Sequence, residues 1–224
     1  MGKRRSFENC WKKEVCKSCT GERCEWFKEM MYLMENCGLP VAKQDSIKLT
    51  PEECDYDIFC ELNDIGSRMD EFVYNGKNLF LCSNQVGNGK TSWAIKLMHK
   101  YFALIAEHNC YMPRALFVSV PLLLVELKDF ENPVSREFRK RLKEIDLVVW
   151  DDIADAVITP YDYLQLRAYI DWRVLAKKSN IFTSNCADKK DLIKILGDKL
   201  TSRVYDISKV VEFRGKGKRV YTEE

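Results

Sequence analysis

A loop rich in glycine and asparagine, residues 84–91, contains the residue types that bind the phosphates of a nucleotide. It reads Asn-Gln-Val-Gly-Asn-Gly-Lys-Thr and lies between an apolar run and an amphipathic segment with helical spacing. Backbone N–H groups of such a loop surround a phosphate at the positive end of the helix. Lys90 adds a charge for the β- and γ-phosphates, and Thr91 offers a hydroxyl to Mg²⁺. We expect ATP or ADP to be bound by nine consecutive residues: Asn84, Gln85, Val86, Gly87, Asn88, Gly89, Lys90, Thr91 and Ser92.

The first position of this loop departs from the usual pattern G-x-x-x-x-G-K-[ST], because Asn84 stands where glycine is expected. After glycine, asparagine is the residue that best tolerates left-handed backbone, so we expect the loop to keep its function. The alternative is an ordinary strand–turn–helix connection with an exposed lysine.

Two carboxylates, Asp151 and Asp152, end a second apolar run at residues 147–150. Such a run is normally buried, so its terminal acids need a partner, and Mg²⁺ is the obvious one. We assign Asp151 to the Mg²⁺ shell and Asp152 to polarising the attacking water. Asn185 ends a third run, where its amide could orient this water or contact the γ-phosphate. The alternatives are a pair of helix-capping acids and a simple turn asparagine.

Four of the ten cysteines, Cys10, Cys16, Cys19 and Cys24, lie within fifteen residues in the spacing C-x5-C-x2-C-x4-C. No apolar signal core follows the basic start of the chain, so a cytoplasmic location and metal binding are expected rather than disulfides. Four thiolates around Zn²⁺ would form a closed structural site. An iron–sulfur cluster and free thiols remain as alternatives.

These groups must be positioned by secondary structure, and the apolar periodicity predicts alternating strands and helices. Strands are expected at 79–82, 115–120, 147–150, 180–184 and 210–213, with a strand or hairpin at 219–222. Helices are expected at 25–36, 56–74, 93–107, 122–130, 135–143, 160–177, 189–196 and 199–207. This alternation indicates an α/β fold with a parallel sheet covered by helices. Ligands bind at the carboxyl ends of such strands, where the loop, the two acids and Asn185 are expected to meet.

The length of 224 residues and the hydrophobic content of 46% allow one substantial domain and a small appendage. We divide the chain into a cysteine-rich metal-binding and docking segment (1–40), a linker (41–55) and an ATPase domain (56–224). The predicted helix at 25–36 either docks a partner or packs on the rest of the chain. The formal net charge of only +2 implies no general attraction to polyanions. No run of about 18 apolar residues that could cross a membrane is present.

Four segments together resemble the AAA+ ATPases of the DnaC/IstB type, which include the replicative helicase loaders of bacteria and phages. They are the loop at 84–91, the apolar-Asp-Asp box at 147–152, Thr-Ser-Asn at 183–185, and Leu-Gly-Asp-Lys-Leu-Thr-Ser-Arg-Val at 196–204. The last segment is the most specific, because Leu-Gly-x-x-x-x-Ser-Arg is typical of the arginine-finger helix in this group. The resemblance spans roughly residues 56–213.

The resemblance implies a Mg²⁺-dependent ATPase with Asp152, Asn185 and Arg203 as catalytic residues. It implies that Arg203 reaches the γ-phosphate of a neighbouring subunit, and hence self-assembly through the ATP site. Arg173 is also expected to face that interface. Only eleven residues follow Phe213, so we expect no helical lid.

The resemblance further implies a replicative hexameric helicase and single-stranded DNA as partners. In this family the front end engages the helicase and the AAA+ module contacts the DNA. The cysteine cluster is similar to the metal-binding front ends of some loaders.

A basic helix is a candidate for the DNA contact. Its cations are Arg136, Arg139, Lys140, Arg141 and Lys143, and with the one acid in residues 135–143, Glu137, they leave a net charge of +4. A second candidate is the tail at 214–219, and a solvated basic face is the alternative for the helix. At the level of function, two alternatives to a loader remain: a transposition helper of the same fold, and an adaptor gated by nucleotide that hydrolyses little.

Overall fold

The computed structural model describes residues 10, 12, 24–44, 47–106, 111–126, 133–155 and 158–217. Within them a five-stranded sheet has the order β2-β3-β4-β1-β5, with every neighbouring pair parallel. Its strands are β1 (Asn78–Cys82), β2 (Ala115–Ser119), β3 (Leu147–Asp151), β4 (Ser179–Ser184) and β5 (Lys209–Glu212). The predicted parallel sheet is therefore confirmed. The strand or hairpin expected at 219–222 lies outside the described residues.

Helices cover both faces of the sheet. They are α1 (Glu25–Glu35), α2 (Tyr56–Ser67), α3 (Met69–Tyr74), α4 (Lys90–Ile105), α5 (Val120–Glu126), α6 (Pro133–Glu144), α7 (Pro160–Leu175) and α8 (Lys189–Thr201). Short 3₁₀ turns occur at Val41–Lys43 and Glu53–Asp55, and a π-helical turn at Ser202–Asp206 follows α8. No helix in the described ranges is long and apolar enough to cross a membrane.

Neighbouring residues along each strand contribute to two separate cores, because successive side chains point to opposite faces of a sheet. Leu79 and Leu81 join the core beneath α1–α4, whereas Phe80 and Cys82 join the core beneath α5–α8. Burial on both faces explains why these strands are continuous apolar runs rather than alternating patterns.

One predicted helix is interrupted in the structure. The expected helix at 56–74 is two helices, because Arg68 leaves helical geometry at φ −126° and ψ 37°. Gly66 and Ser67, both weak helix formers, precede this break, and the Ser67 hydroxyl bonds back to the Asp64 carbonyl at 2.7 Å. The expected interruption at Gly197 is present, where the backbone turns to φ 71° and ψ 159°.

The apolar face of α1 packs on the rest of the chain. Phe27, Met30, Leu33 and Met34 are buried, and the Trp26 indole donates to the Ala103 carbonyl on α4 at 3.2 Å. Of the two interpretations of this helix, packing on the chain is the one that the structure supports.

The segment after α1 also covers the edge of the sheet. The Phe117 amide of β2 donates to the Cys37 carbonyl at 2.7 Å. Because β2 is an edge strand, this contact protects backbone groups that would otherwise be open to pairing with another chain.

Candidate nucleotide-binding site

A polar pocket of about 430 Å³ opens where β1, β3 and β4 end. It is lined by Val86, Gly87, Asn88, Gly89, Lys90, Thr91, Ser92, Asp152, Asp155 and Asn185. The structure therefore brings together most of the residues that the sequence assigned to nucleotide binding, as expected for the carboxyl edge of a parallel sheet.

The loop bends into the first turn of α4 through two glycines in left-handed backbone. Gly87 has φ 78°, and Gly89 has φ 99° and is the N-cap of α4. A side chain at either position would strain the backbone. No side chain caps α4, so the first N–H groups of the helix are available to an anion in the pocket.

Lys90 lies inside the loop with only 5% of its surface exposed. Its ammonium group donates to the Gln85 carbonyl at 2.8 Å and to the Asn88 side-chain oxygen at 3.0 Å. A buried ammonium needs acceptors, and these loop oxygens supply them. Phosphate oxygens entering the pocket would be stronger acceptors for the same group because they carry negative charge.

Asn84 has a different role from the one expected. It is not among the described residues with positive φ, so tolerance of left-handed backbone does not explain the asparagine. Instead its side-chain oxygen accepts a hydrogen bond from the Ala187 amide at 3.0 Å. This bond ties the start of the loop to the segment that follows β4.

The two acids after β3 have different environments. Asp151 is buried and accepts a hydrogen bond from the Thr183 hydroxyl at 2.7 Å. Asp152 lines the pocket in left-handed backbone with φ 57°, and its amide donates to the same hydroxyl at 2.9 Å. Burial, with the nearby charges of Asp151 and Asp155, raises the pKa of Asp152 to about 6.

Asp155 is a pocket residue that sequence reasoning missed. Its carboxylate accepts a hydrogen bond from the Asn185 amide, which sets the orientation of that side chain. No motif marks Asp155, since only the folded loop after β3 brings it to the end of β4. Thr91 lines the pocket beside these acids, and oxygen donors of this kind suit a hard cation such as Mg²⁺. Asp151, which the sequence assigned to the Mg²⁺ shell, is not among the residues that line the pocket.

No protein-family model matches the chain, and no curated protein matches it. Solved structures do match. The crystal structure of the DnaC helicase loader aligns with a TM-score of 0.62 at 18% identity, over 75% of this chain and 94% of that one. The crystal structure of DnaI aligns with a TM-score of 0.64 at 17% identity, over 84% of this chain and 99% of that one. The chain therefore shares the fold of the DnaC helicase loader and of DnaI.

A replication initiator, DnaA bound to AMPPCP and single-stranded DNA, shares this fold at lower similarity. It aligns with a TM-score of 0.57 and 17% identity, over 81% of this chain but only 49% of its own length. At such identities the likeness concerns the fold alone.

Arg203 lies outside the nucleotide pocket of its own chain. It is on the π-helical turn after α8, and its side chain pairs with Asp171 of α7 at 2.7 Å. It is absent from the residues that line the nucleotide pocket.

The prediction that Arg173 faces a subunit interface is wrong. Arg173 is fully buried, and its guanidinium bonds to the Asn180 side chain and to four backbone carbonyls. Burial lowers its pKa to about 9. Its role in this structure is to join α6, α7, β3 and β4.

Of the four clustered cysteines, Cys16 and Cys19 lie outside the described residues, Cys10 is half-buried and Cys24 is exposed. In the described ranges, no group of three or more His, Cys, Asp or Glu side chains could hold a metal. The four-cysteine site therefore stays a prediction.

The basic residues expected to contact DNA are in two places. On α6, Arg136, Lys140 and Lys143 are exposed, whereas Arg141 donates to the Asn36 carbonyl. In the tail, the Arg214 side chain pairs with Asp57.

The tail backbone also contacts acidic residues. The amides of residues 214 and 215 donate to the Asp55 carboxylate at 2.8 and 3.0 Å. At Gly217 the chain passes so close to the Val86 carbonyl that a Cβ there would lie 2.2 Å from it. Gly217 thus packs against the phosphate loop at Val86.

Proposed function

We propose that this chain is an ATP-dependent replicative helicase loader in the initiation of DNA replication. The observation that carries the proposal is the likeness to the DnaC helicase loader, which spans 94% of that structure, combined with the phosphate loop and acids in one pocket. The proposed partners are a hexameric replicative helicase and single-stranded DNA. A fold alone does not give a function, so the proposal depends on this site.

The proposed reaction is the Mg²⁺-dependent hydrolysis of ATP. Residues 84–92 hold the phosphates, with Lys90 on the β- and γ-phosphates. Thr91 and Asp151 would hold Mg²⁺, which neutralises phosphate charge when bound. Asp152 accepts a proton from the attacking water, and Asn185 orients that water or contacts the γ-phosphate. Arg203 of a neighbouring subunit stabilises the charge of the transition state.

The test of this proposal joins nucleotide binding to helicase binding. Lys90→Ala should abolish binding of a fluorescent ATP analogue, because the loop loses its only lysine. The wild-type chain should retain a purified hexameric helicase and load it on single-stranded DNA with ATP, and Lys90→Ala should not load it. Lys100→Ala, at an exposed position on the same helix, is the control. Unchanged analogue affinity in Lys90→Ala contradicts the assignment of the loop, and loading without ATP contradicts the function.

We propose that the exposed cations of α6 contact the DNA backbone. Phosphate contacts of this kind make affinity fall as salt concentration rises. The tail is the weaker candidate, because Arg214 is already paired with acids of its own chain.

We also propose that Cys10, Cys16, Cys19 and Cys24 bind one structural Zn²⁺ in the front segment, residues 1–40. Elemental analysis of protein purified without added metal should give about one zinc per chain, as four-thiolate coordination implies. Serine at Cys16 should remove it, whereas serine at the exposed Cys60 should not. Stoichiometric iron, or no metal, contradicts the assignment. The boundaries at residues 40 and 55 stay predictions.

A further inference from the structure

The ion pair between Arg203 and Asp171 connects the turn after α8 to the outer side of α7. The Nε of Arg203 donates to one Asp171 oxygen at 2.7 Å, and the Nε of Arg167 donates to the other at 3.3 Å. The pair lies at an open depression of about 440 Å³. This depression is lined by Arg167, Asp171, Asp198, Lys199, Ser202 and Arg203.

Asp171 contacts only one edge of the Arg203 guanidinium, so the donors on the other edge can bind a ligand. A guanidinium carries five N–H donors in one plane, and Asp171 engages the one on Nε. Among the described residues, Arg203 has no other hydrogen-bond partner. Its two terminal nitrogens therefore keep a free edge, which is the fork that binds two oxygens of a phosphate.

The carboxylate that holds Arg203 is itself well fixed. α7 begins with a capping box in which Thr159 and Asp162 satisfy each other's backbone amides. Two residues after Asp171, Arg173 anchors the helix to the core through five hydrogen bonds. A long arginine side chain on a surface turn samples many rotamers, and a contact to a rigid helix removes most of them.

We propose that Asp171 is a positioning residue for Arg203, which holds the Nε edge and presents the terminal nitrogens to the γ-phosphate bound by a neighbouring copy of the chain. This inference rests on the proposed ATPase function and on catalysis in trans. An exposed ion pair contributes little to folding. Loss of the ion pair between Arg203 and Asp171 should therefore lower the ATPase activity of the neighbouring copy and leave the stability of the chain nearly unchanged.

The experiment mixes two inactive variants. Lys90→Ala cannot bind ATP but still donates Arg203, whereas Arg203→Ala binds ATP but has no arginine to donate. Together they should recover part of the ATPase activity at the mixed interface. Asp171→Ala is then added either to the donor (with Lys90→Ala) or to the acceptor (with Arg203→Ala).

In the donor, Asp171→Ala should lower the recovered kcat about tenfold or more without changing the KM for ATP, because a misplaced catalytic group loses its geometry. In the acceptor, Asp171→Ala should leave the recovered kcat unchanged, which would also show that a chain with this substitution folds. Asp171→Asn in the donor keeps an oxygen for the Nε–H group and should restore part of kcat. Asp198→Ala in the donor, which removes the other carboxylate of the depression, is the matched control.

The outcomes separate this inference from the function on which it rests. No recovery in the parent mixture, despite demonstrated co-assembly, overturns the trans role of Arg203 and this inference with it. Recovery in the parent mixture, but an equal loss from Asp171→Ala in either subunit, overturns the inference alone. A gain in activity from Asp171→Ala in the donor also overturns it, because the carboxylate would then withhold Arg203 rather than present it.

Discussion

At the scale of single residues, the environment of Asp152 is suited to a carboxylate that exchanges a proton. Its pKa rises to about 6, with burial as the largest cause and the charges of Asp151 and Asp155 as further causes. A carboxylate with a pKa near the working pH is a better proton acceptor than an ordinary one. Its left-handed backbone, φ 57°, lies next to the Thr183 hydroxyl that contacts both acids.

We expect Asp152→Asn to bind ATP with unchanged affinity but to lose turnover by about 100-fold or more, because an amide cannot accept the proton of water. In the wild-type chain, kcat/KM for ATP should fall as the pH decreases through about 6, where Asp152 of the nucleotide-free chain becomes protonated. Steady-state ATPase assays across pH, with equilibrium binding of the analogue, measure both. Turnover of Asp152→Asn at the wild-type rate would exclude this role.

The same pKa makes a prediction about stability. Because folding raises the pKa of Asp152 from 3.8 to about 6, the folded state holds the proton more tightly than the unfolded state. Its relative contribution to stability is therefore complete below pH 3.8 and is lost as the pH rises through 6. After allowance for solvent screening, Asp152→Asn in nucleotide-free protein should be about 1–2 kcal/mol more stable at pH 7.5. Chemical denaturation at pH 4 should show little of this difference.

At the scale of secondary-structure elements, one buried side chain fixes the junction of two helices and two strands. The Arg173 guanidinium binds the Asn180 side chain and the carbonyls of Leu142, Ile145, Asp146 and Ser179. These carbonyls belong to the end of α6, the connection between α6 and β3, and the start of β4. Asn180 also accepts from the Trp150 indole at 3.0 Å, so the network continues into β3.

We expect Arg173→Leu to lower the free energy of unfolding by about 3–5 kcal/mol, because it leaves several buried acceptors without donors. Thermal and chemical denaturation measure the loss. Arg136→Leu, an equivalent change at an exposed position on α6, should alter stability by less than about 0.5 kcal/mol. Equal effects of the two changes would contradict the anchoring role of Arg173.

At the scale of the whole molecule, no arginine is found among the described residues that line the nucleotide pocket. The residues that line the pocket include two acids, two asparagines and one lysine, whereas Arg203 lies at a separate depression. Catalysis that depends on this arginine therefore requires a second copy of the chain.

We expect the specific ATPase activity to rise with protein concentration and to reach a plateau once the subunits have assembled. Arg203→Ala should stay at a low, concentration-independent rate while it binds the ATP analogue normally. Lys190→Ala, an exposed change on α8, should follow the wild-type curve. Light scattering recorded on the same samples would link activity to assembly. A wild-type rate independent of concentration, in demonstrably monomeric protein, would contradict a site shared between subunits.

The amino-acid sequence by itself predicted the parallel sheet, the phosphate loop, the acids after β3 and the asparagine after β4. These features depend on local requirements: glycine where the backbone turns left-handed, apolar runs where a strand is covered on both faces, and polar residues where it ends. Such requirements involve residues that are close together in the chain, so the spacing of residue types in the sequence is enough to predict these features.

Only the tertiary structure decided which residues meet across long separations. It buried Arg173, brought Asp155 to Asn185, joined Asn84 to Ala187, and paired Asp171 with Arg203. An apolar face shows that a helix is buried but not what covers it, which is why α1 could be read as a docking element. Likewise, the sequence does not show which residue a charged side chain pairs with, because the strand order determines which loops and helices are neighbours.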